Sequence, residues 1–98
     1  MKYSLKITSS LYGEKPETIL VDKFNTLKEA KAEMTKAINN ITGLDFGWEH
    51  AASVDIMEAK EFNVPCCYSI EETKTSWTIK DNDFDEMFTQ VFIEREKN

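Results

Sequence analysis

The sequence is poor in arginine, glycine and cysteine, and each shortage excludes a class of site. Of the 12 basic residues only Arg95 is an arginine, so bidentate guanidinium recognition of phosphates is nearly absent. The 3 glycines, at positions 13, 43 and 47, form neither a GxGxxG loop nor a P-loop, which excludes nucleotide chemistry of those types. The 2 cysteines are the adjacent Cys66 and Cys67, so they do not staple distant parts of a secreted disulfide scaffold.

Long apolar runs are also missing. Polar and apolar residues alternate from Met1 to Lys6, unlike the continuous apolar stretch of a signal peptide, and no run approaches the length that crosses a bilayer. We therefore expect a cytoplasmic protein that does not bind membranes. At 98 residues, the chain is expected to form a single domain, 1–98.

Acidic residues exceed basic ones by 18 to 12, which gives a formal net charge of −6. Residues 1–49 contain 7 lysines and 7 acids, whereas residues 50–98 contain 5 basic residues and 11 acids, so all the excess lies in the second half. This charge opposes direct binding to nucleic acid or anionic lipid. The acidic half is either a solvated face that aids solubility or a surface for a basic partner.

Alternation of polar and apolar residues predicts four strands in two antiparallel hairpins. Residues 2–8 and 18–24 form the first pair, separated by a loop. Residues 66–71, entered at Pro65, and residues 75–80 form the second pair, with a polar turn between them.

One helix is predicted from its start signal and its apolar stripe. Thr26 and Glu29 fit a capping box, and Gly43 is a plausible stop signal. Apolar residues then recur at helical spacing, which predicts a helix over about 27–41. The stripe consists of Leu27, Ala30, Met34, Ala37, Ile38 and Ile41.

Three segments are less sharply defined. Residues 44–51 are predicted to form a packed connection after the helix. Residues 53–60 are assigned to a strand because Val54 and Ile56 alternate with polar positions, with a short helix as the competitor. Residues 87–95 are rich in strand formers and are assigned to a closing strand after a turn at 81–86, against a helix starting near residue 83.

These elements predict an α+β fold. An antiparallel sheet of about five to six strands has the one main helix packed on one face, in the order β-β-α-β-β-β(-β).

No residue pattern predicts catalysis, a cofactor or a metal site. The run from Asp81 imitates the start of an EF-hand loop, but the sixth position is Glu86 and the twelfth is Phe92, where Gly and Glu are required. Cys66 and Cys67 are expected to point to opposite faces of a strand, one buried and one partly exposed. His50 is the only histidine, and the sequence identifies no nucleophile to pair with it.

The expected function is that of a small acidic, non-enzymatic protein-binding module. Ordered carboxylates compete for a site built to hold phosphates, so the partner is expected to be a basic nuclease or DNA-binding protein. In its concrete form the protein is an inhibitor from a phage or mobile element; the chain resembles anti-CRISPR and anti-restriction proteins in size and acidity. The partner-binding residues are predicted to be Glu58, Glu61, Glu71, Glu72, Trp77, Asp81, Asp83, Asp85 and Glu86.

The alternative is a self-associating structural or accessory protein of a low-GC bacterium or phage. Unpaired strand edges then join two copies across a two-fold axis as a homodimer.

Overall fold

The computed structural model of the protein describes residues 2–43 and 47–96, which form five strands and two helices. The α+β class is confirmed, and the strand count lies within the predicted range. The described residues contain a second helix where a strand was predicted at 53–60. The elements are β1 (Tyr3–Ser10), β2 (Glu17–Phe24), α1 (Leu27–Gly43), α2 (Trp48–Phe62), β3 (Tyr68–Glu72), β4 (Ser76–Asp81) and β5 (Phe88–Arg95).

The five strands form one antiparallel sheet in the order β2-β1-β5-β4-β3. The two predicted hairpins, β1–β2 and β3–β4, are confirmed, and so is the closing strand β5 at the C-terminus. β5 lies between the hairpins and pairs with β1 on one side and β4 on the other. The first and last strands are therefore neighbours, and Tyr3 lies opposite Arg95.

The core lies between one face of the sheet and the two helices. Alternate residues of the central strands point toward the helices, and Leu5, Ile79 and Val91 are fully buried. Each helix contributes one fully buried alanine, Ala30 from α1 and Ala52 from α2. These small side chains let the helix backbones lie close to the sheet.

Helix α1 begins as predicted. The Glu29 backbone N–H donates to Thr26 Oγ1 at 3.2 Å, and the Thr26 hydroxyl donates to Glu29 Oε1 at 2.9 Å. Gly43 is the last residue of the helix, two residues beyond the predicted end near 41. The Thr42 hydroxyl donates to the Ile38 carbonyl at 2.9 Å within this last turn.

Helix α2 corrects the strand predicted at 53–60. Trp48, Ala52 and Ile56 recur every four residues and face the core, whereas Val54 is 37% exposed. In a strand Val54 and Ile56 would share a face. The alternation at 54–57 was too short to distinguish the two periods. α2 also includes 48–51 of the predicted connection, while Phe46 lies outside the described residues.

Strand β3 begins at Tyr68, later than predicted, so Cys66 and Cys67 precede the strand. Cys66 is half-buried and Cys67 is exposed, so the expectation of one buried thiol was wrong. Neither α1 nor α2, the helices of the described residues, is long and apolar enough to cross a membrane.

Two isoleucines of the sheet provide a matched test of this core. Ile79 is fully buried, whereas Ile19 is 58% exposed on the edge strand β2. We expect Ile79→Ala to lower the free energy of unfolding by about 2–5 kcal/mol, because it removes buried methyl groups and leaves a cavity. Ile19→Ala should change it by less than about 0.5 kcal/mol. Urea denaturation measures both values, and equal losses would contradict this placement of the core.

Candidate functional site

The nine residues predicted to bind a partner fall into three separate places. Glu58 and Glu61 lie in the C-terminal half of α2. Glu71, Glu72 and Trp77 lie at or near the β3–β4 turn. The other four lie at the end of β4 and in the connection that follows it: Asp81, Asp83, Asp85 and Glu86.

Trp77 does not form part of an exposed surface. Only 4% of the residue is exposed, and it packs in the core opposite Val91 of β5. Trp77 therefore offers no exposed ring to a partner, contrary to its prediction as a partner-binding residue. Its place on the inward-facing side of β4 explains the burial, because Ile79 and Asp81 on the same side are also buried.

Glu71 and Glu72 are exposed but lie at the opposite end of the β3–β4 hairpin from Asp81, so they do not share one surface with Asp81 and Asp83. Glu72 lies opposite Trp77, whereas Tyr68 at the other end of β3 lies opposite Asp81. Four residue-to-residue steps along the strand place these two ends about 13 Å apart. Glu71 is also engaged, because its Oε1 pairs with Lys80 Nζ at 2.7 Å.

Asp81 shapes the connection between β4 and β5. The residue is 7% exposed, and its Oδ1 accepts hydrogen bonds from the backbone N–H groups of Asp83 at 2.9 Å and Phe84 at 3.3 Å. The Met87 N–H donates to the Phe84 carbonyl at 2.9 Å and completes the turn. Asp83 and Phe84 are thereby held in fixed positions at the surface.

This connection is tied to the segment that precedes β3. The Asn82 N–H donates to the Cys67 carbonyl at 2.7 Å, and the Ser69 hydroxyl donates to Asn82 Oδ1 at 2.9 Å. The Cys67 sulfur and one carboxylate oxygen each of Asp81 and Asp83 all lie within 4.8 Å of one another. A closed structural zinc site needs four ligands. Among the described residues, this group of possible metal ligands contains three.

A groove of about 280 Å³ runs between α2 and the segment before β3. The α2 wall includes Asp55 and Glu58, spaced one turn apart, and Phe62 one turn further on. The opposite wall is the segment 64–67. Phe62 is 68% exposed and Val64 is 53% exposed, so the groove combines an open apolar surface with two carboxylates.

Two further aromatic rings lie beside the β4–β5 connection. The rings of Tyr12 and Phe84 meet edge to face with centroids 5.4 Å apart, and both residues are more than half exposed. They line a shallow hollow together with Asp81 and Met87.

The groove, the thiol–carboxylate group and this aromatic pair meet at one end of the molecule, which we call the acidic corner. Its residues are Tyr12, Asp55, Glu58, Phe62, Val64, Cys67, Asp81, Asp83 and Phe84.

The carboxylates make this corner electrically negative. Partial desolvation raises the pKa of the Cys67 thiol, and the charges of Asp81 and Asp83 raise it further. The pKa of Tyr68 is raised by desolvation and by neighbouring groups that include Asp81 and Asp55. The charges of Asp55 on α2 and Asp81 on β4 therefore both raise the pKa of the Tyr68 hydroxyl. The ion pairs formed by Lys6, Lys23, Lys36 and Lys80 involve acids outside the corner.

Only part of this corner was predicted from the sequence. Glu58, Asp81 and Asp83 were predicted, whereas Asp55, Phe62, Cys67, Phe84 and Tyr12 were not assigned to partner binding. Asp55, Glu58 and Phe62 at i, i+3 and i+7 share one face of a helix. This spacing was a usable signal, but the strand assigned at 53–60 concealed it.

His50, the one histidine, lies outside the corner. Its Nδ1 is 2.7 Å from the Thr42 carbonyl, which only accepts hydrogen bonds, so Nδ1–H is the donor. The neighbouring Glu49 accepts a hydrogen bond from the Thr89 hydroxyl at 3.3 Å. His50 therefore links α2 to α1, and Glu49 links α2 to β5.

The reactivity of Cys67 reports the charge of the corner. In a Cys66→Ser background, we expect Asp83→Asn to speed alkylation of Cys67 by iodoacetamide at pH 8 about threefold. Removing a neighbouring negative charge lowers the thiol pKa and increases the thiolate fraction. Asp85→Asn is the matched control, and the gain should shrink in about 1 M salt. Equal rates for the two variants would contradict the electrostatic description.

Comparison of the chain with protein-family models, curated proteins and solved structures finds no match. The function proposed for the protein therefore rests on its own residues and their geometry.

Proposed function

We propose that the protein is a non-enzymatic protein-binding module and that the acidic corner is its docking surface. The observation that carries this proposal is the placement of exposed aromatic rings, Phe62, Phe84 and Tyr12, beside carboxylates at one end of the molecule. Binding energy in protein interfaces is concentrated in a few aromatic or arginine anchors surrounded by polar groups. The rings and acids of the corner supply both parts.

The partner is a protein with a basic surface. The net charge of −6 and the acids of the corner speed the approach of a positively charged surface and repel nucleic acid. In its concrete form, the protein is a cytoplasmic inhibitor of phage or mobile-element origin. It covers the nucleic-acid-binding surface of a host nuclease or DNA-binding protein, as anti-CRISPR and anti-restriction proteins do.

The test is affinity capture from bacterial lysate with three forms of the protein. The turn variant carries Asp83→Lys, Phe84→Ser and Asp85→Lys. The control variant carries Glu33→Lys and Glu72→Lys, which changes the net charge by the same amount away from the corner. All three forms should have similar melting temperatures, because the changed side chains are largely exposed.

We expect the wild type and the control variant to retain a basic nucleic-acid-binding protein at about 0.1 M salt, and the turn variant to lose it. Retention should fall at about 1 M salt, where the Debye length is about 3 Å. The purified wild type should then displace a labelled DNA duplex from the captured protein. Equal capture by the turn variant, or failure to displace the DNA, would contradict the inhibitor proposal.

A second candidate function, self-association, is favoured by the edge strand β2. Ile19, Leu20 and Val21 are 58%, 51% and 45% exposed along this strand. The opposite edge, β3, is shorter and ends in Glu71 and Glu72, which discourage pairing. Long apolar edges are suited to pairing with another strand.

Sedimentation velocity tests this second candidate. We expect a concentration-dependent dimer that persists at about 1 M salt, because strand pairing does not depend on long-range charge. Leu20→Lys should abolish it, whereas Ile70→Lys on β3 should not. A wild-type protein that stays monomeric up to about 0.1 mM would rule self-association out.

A further inference from the structure

The groove between α2 and segment 64–67 has the chemistry of a receptor for one long cationic side chain. Asp55, Glu58 and Phe62 follow one another along the same face of α2, so two carboxylates and one exposed ring line a single wall. Lysine and arginine have an aliphatic stem that packs on apolar surface and a charged head that remains polar. An exposed ring beside carboxylates matches both parts, and the ring face attracts the cation itself.

The end of α2 strengthens the negative potential of the groove. The helix ends at Phe62, and Asn63 adopts a left-handed conformation with φ 52°. The Val64 N–H then donates to the Ala59 carbonyl at 2.9 Å, which turns the chain back along the groove. The C-terminal end of a helix has a partial negative charge that favours cations.

The acids on α2 therefore occupy unfavourable positions for the helix itself. Glu58 lies near the negative end of the dipole, and Glu61 lies in the last turn. Lys60, in the same turn, is two positions from Glu58 and does not face it along the helix. Local rules of stability are broken most often at functional sites. A cation bound in the groove would relieve this repulsion.

We infer that the groove receives an arginine or lysine side chain from an exposed basic segment of the partner protein, with the stem against Phe62 and Val64 and the charged head between Asp55 and Glu58. This inference rests on the proposed function and names the partner group that the acidic corner recognises. At about 280 Å³ the groove falls just below the range of about 300–1,000 Å³ that is typical of small-molecule pockets. This volume is enough for one inserted side chain.

Fluorescence anisotropy with a labelled peptide of alternating arginine and serine tests the inference on the full-length protein. The control peptide has citrulline in place of arginine, which keeps the shape of the side chain and removes its charge. We expect the arginine peptide to bind and the citrulline peptide not to bind. The groove variant, Asp55→Asn with Glu58→Gln, should weaken binding about tenfold, because two favourable charge interactions are lost.

Two further variants separate the groove from general charge. Glu33→Gln with Glu72→Gln removes the same charge elsewhere and should leave peptide affinity within about twofold of the wild type. Phe62→Ser keeps every charge of the groove, and we expect it to weaken binding severalfold through loss of the ring. Equal weakening by the Glu33/Glu72 pair and the groove variant, or wild-type affinity in both groove variants, would overturn the inference.

The same variants distinguish failure of the groove assignment from failure of the proposed function. If the groove variant still captures the lysate partner while the turn variant loses it, the protein remains a binding module and the groove assignment is wrong. If the peptide results are as expected but no inhibited partner exists, the groove assignment stands and the inhibitor proposal fails.

Discussion

The central position of strand β5 is the constraint on which the rest of the structure depends. β1 and β2 form one hairpin, and β3 and β4 form another; β5 joins them into one sheet by pairing with β1 and β4. Its buried Val91 lies opposite Ile7 of β1 and Trp77 of β4. Thr89 lies opposite Ile79 of β4, and Ile93 lies opposite Leu5 of β1. The last strand of the chain must therefore be in place before the two hairpins share a core. Beyond β5, Glu96 accepts a hydrogen bond from Ser4 at 2.6 Å and pairs with Lys23 at 3.0 Å, which fastens this strand to β1 and β2.

The register of β5 also assembles the acidic corner. Ser10 at the end of β1 and Lys80 near the end of β4 both lie opposite Phe88. The loop after β1 and the connection after β4 therefore emerge side by side, which is why Tyr12 meets Phe84 although the two residues are far apart in sequence. The Ser10 hydroxyl donates to the Glu86 carbonyl and holds the two segments together. Displacing β5 by one residue would turn its buried side chains to the opposite face.

The elements predictable from the sequence were those whose signals are local and repeated. Tyr3, Leu5 and Ile7 alternate over a whole strand, and Thr26 with Glu29 forms a start signal within one helical turn. At 53–60 the alternation covered only Val54 to Met57, whereas the helical spacing of Trp48, Ala52 and Ile56 extended into residues assigned to a connection.

The site was less predictable than the elements. The number of acidic residues in each half of the sequence does not show which of them the strand pairing brings together. Glu72 and Asp81 belong to the same acidic half of the sequence, yet pairing places them at opposite ends of β3 and β4.

The corner combines features that oppose stability in the isolated chain. Carboxylate oxygens of Asp81 and Asp83 lie within 4.8 Å of each other, Glu58 lies toward the negative end of α2, and Phe62 and Phe84 expose their rings to water. A chain of this size has a small core to offset such costs, and elsewhere it follows local rules: Lys6, Lys36 and Lys80 pair with acids, and Thr26 caps α1. The carboxylates and exposed rings of the corner thus lie together at one end of the sheet. One positively charged, partly apolar surface would satisfy them together, since it would neutralise the carboxylates and cover the rings in a single contact.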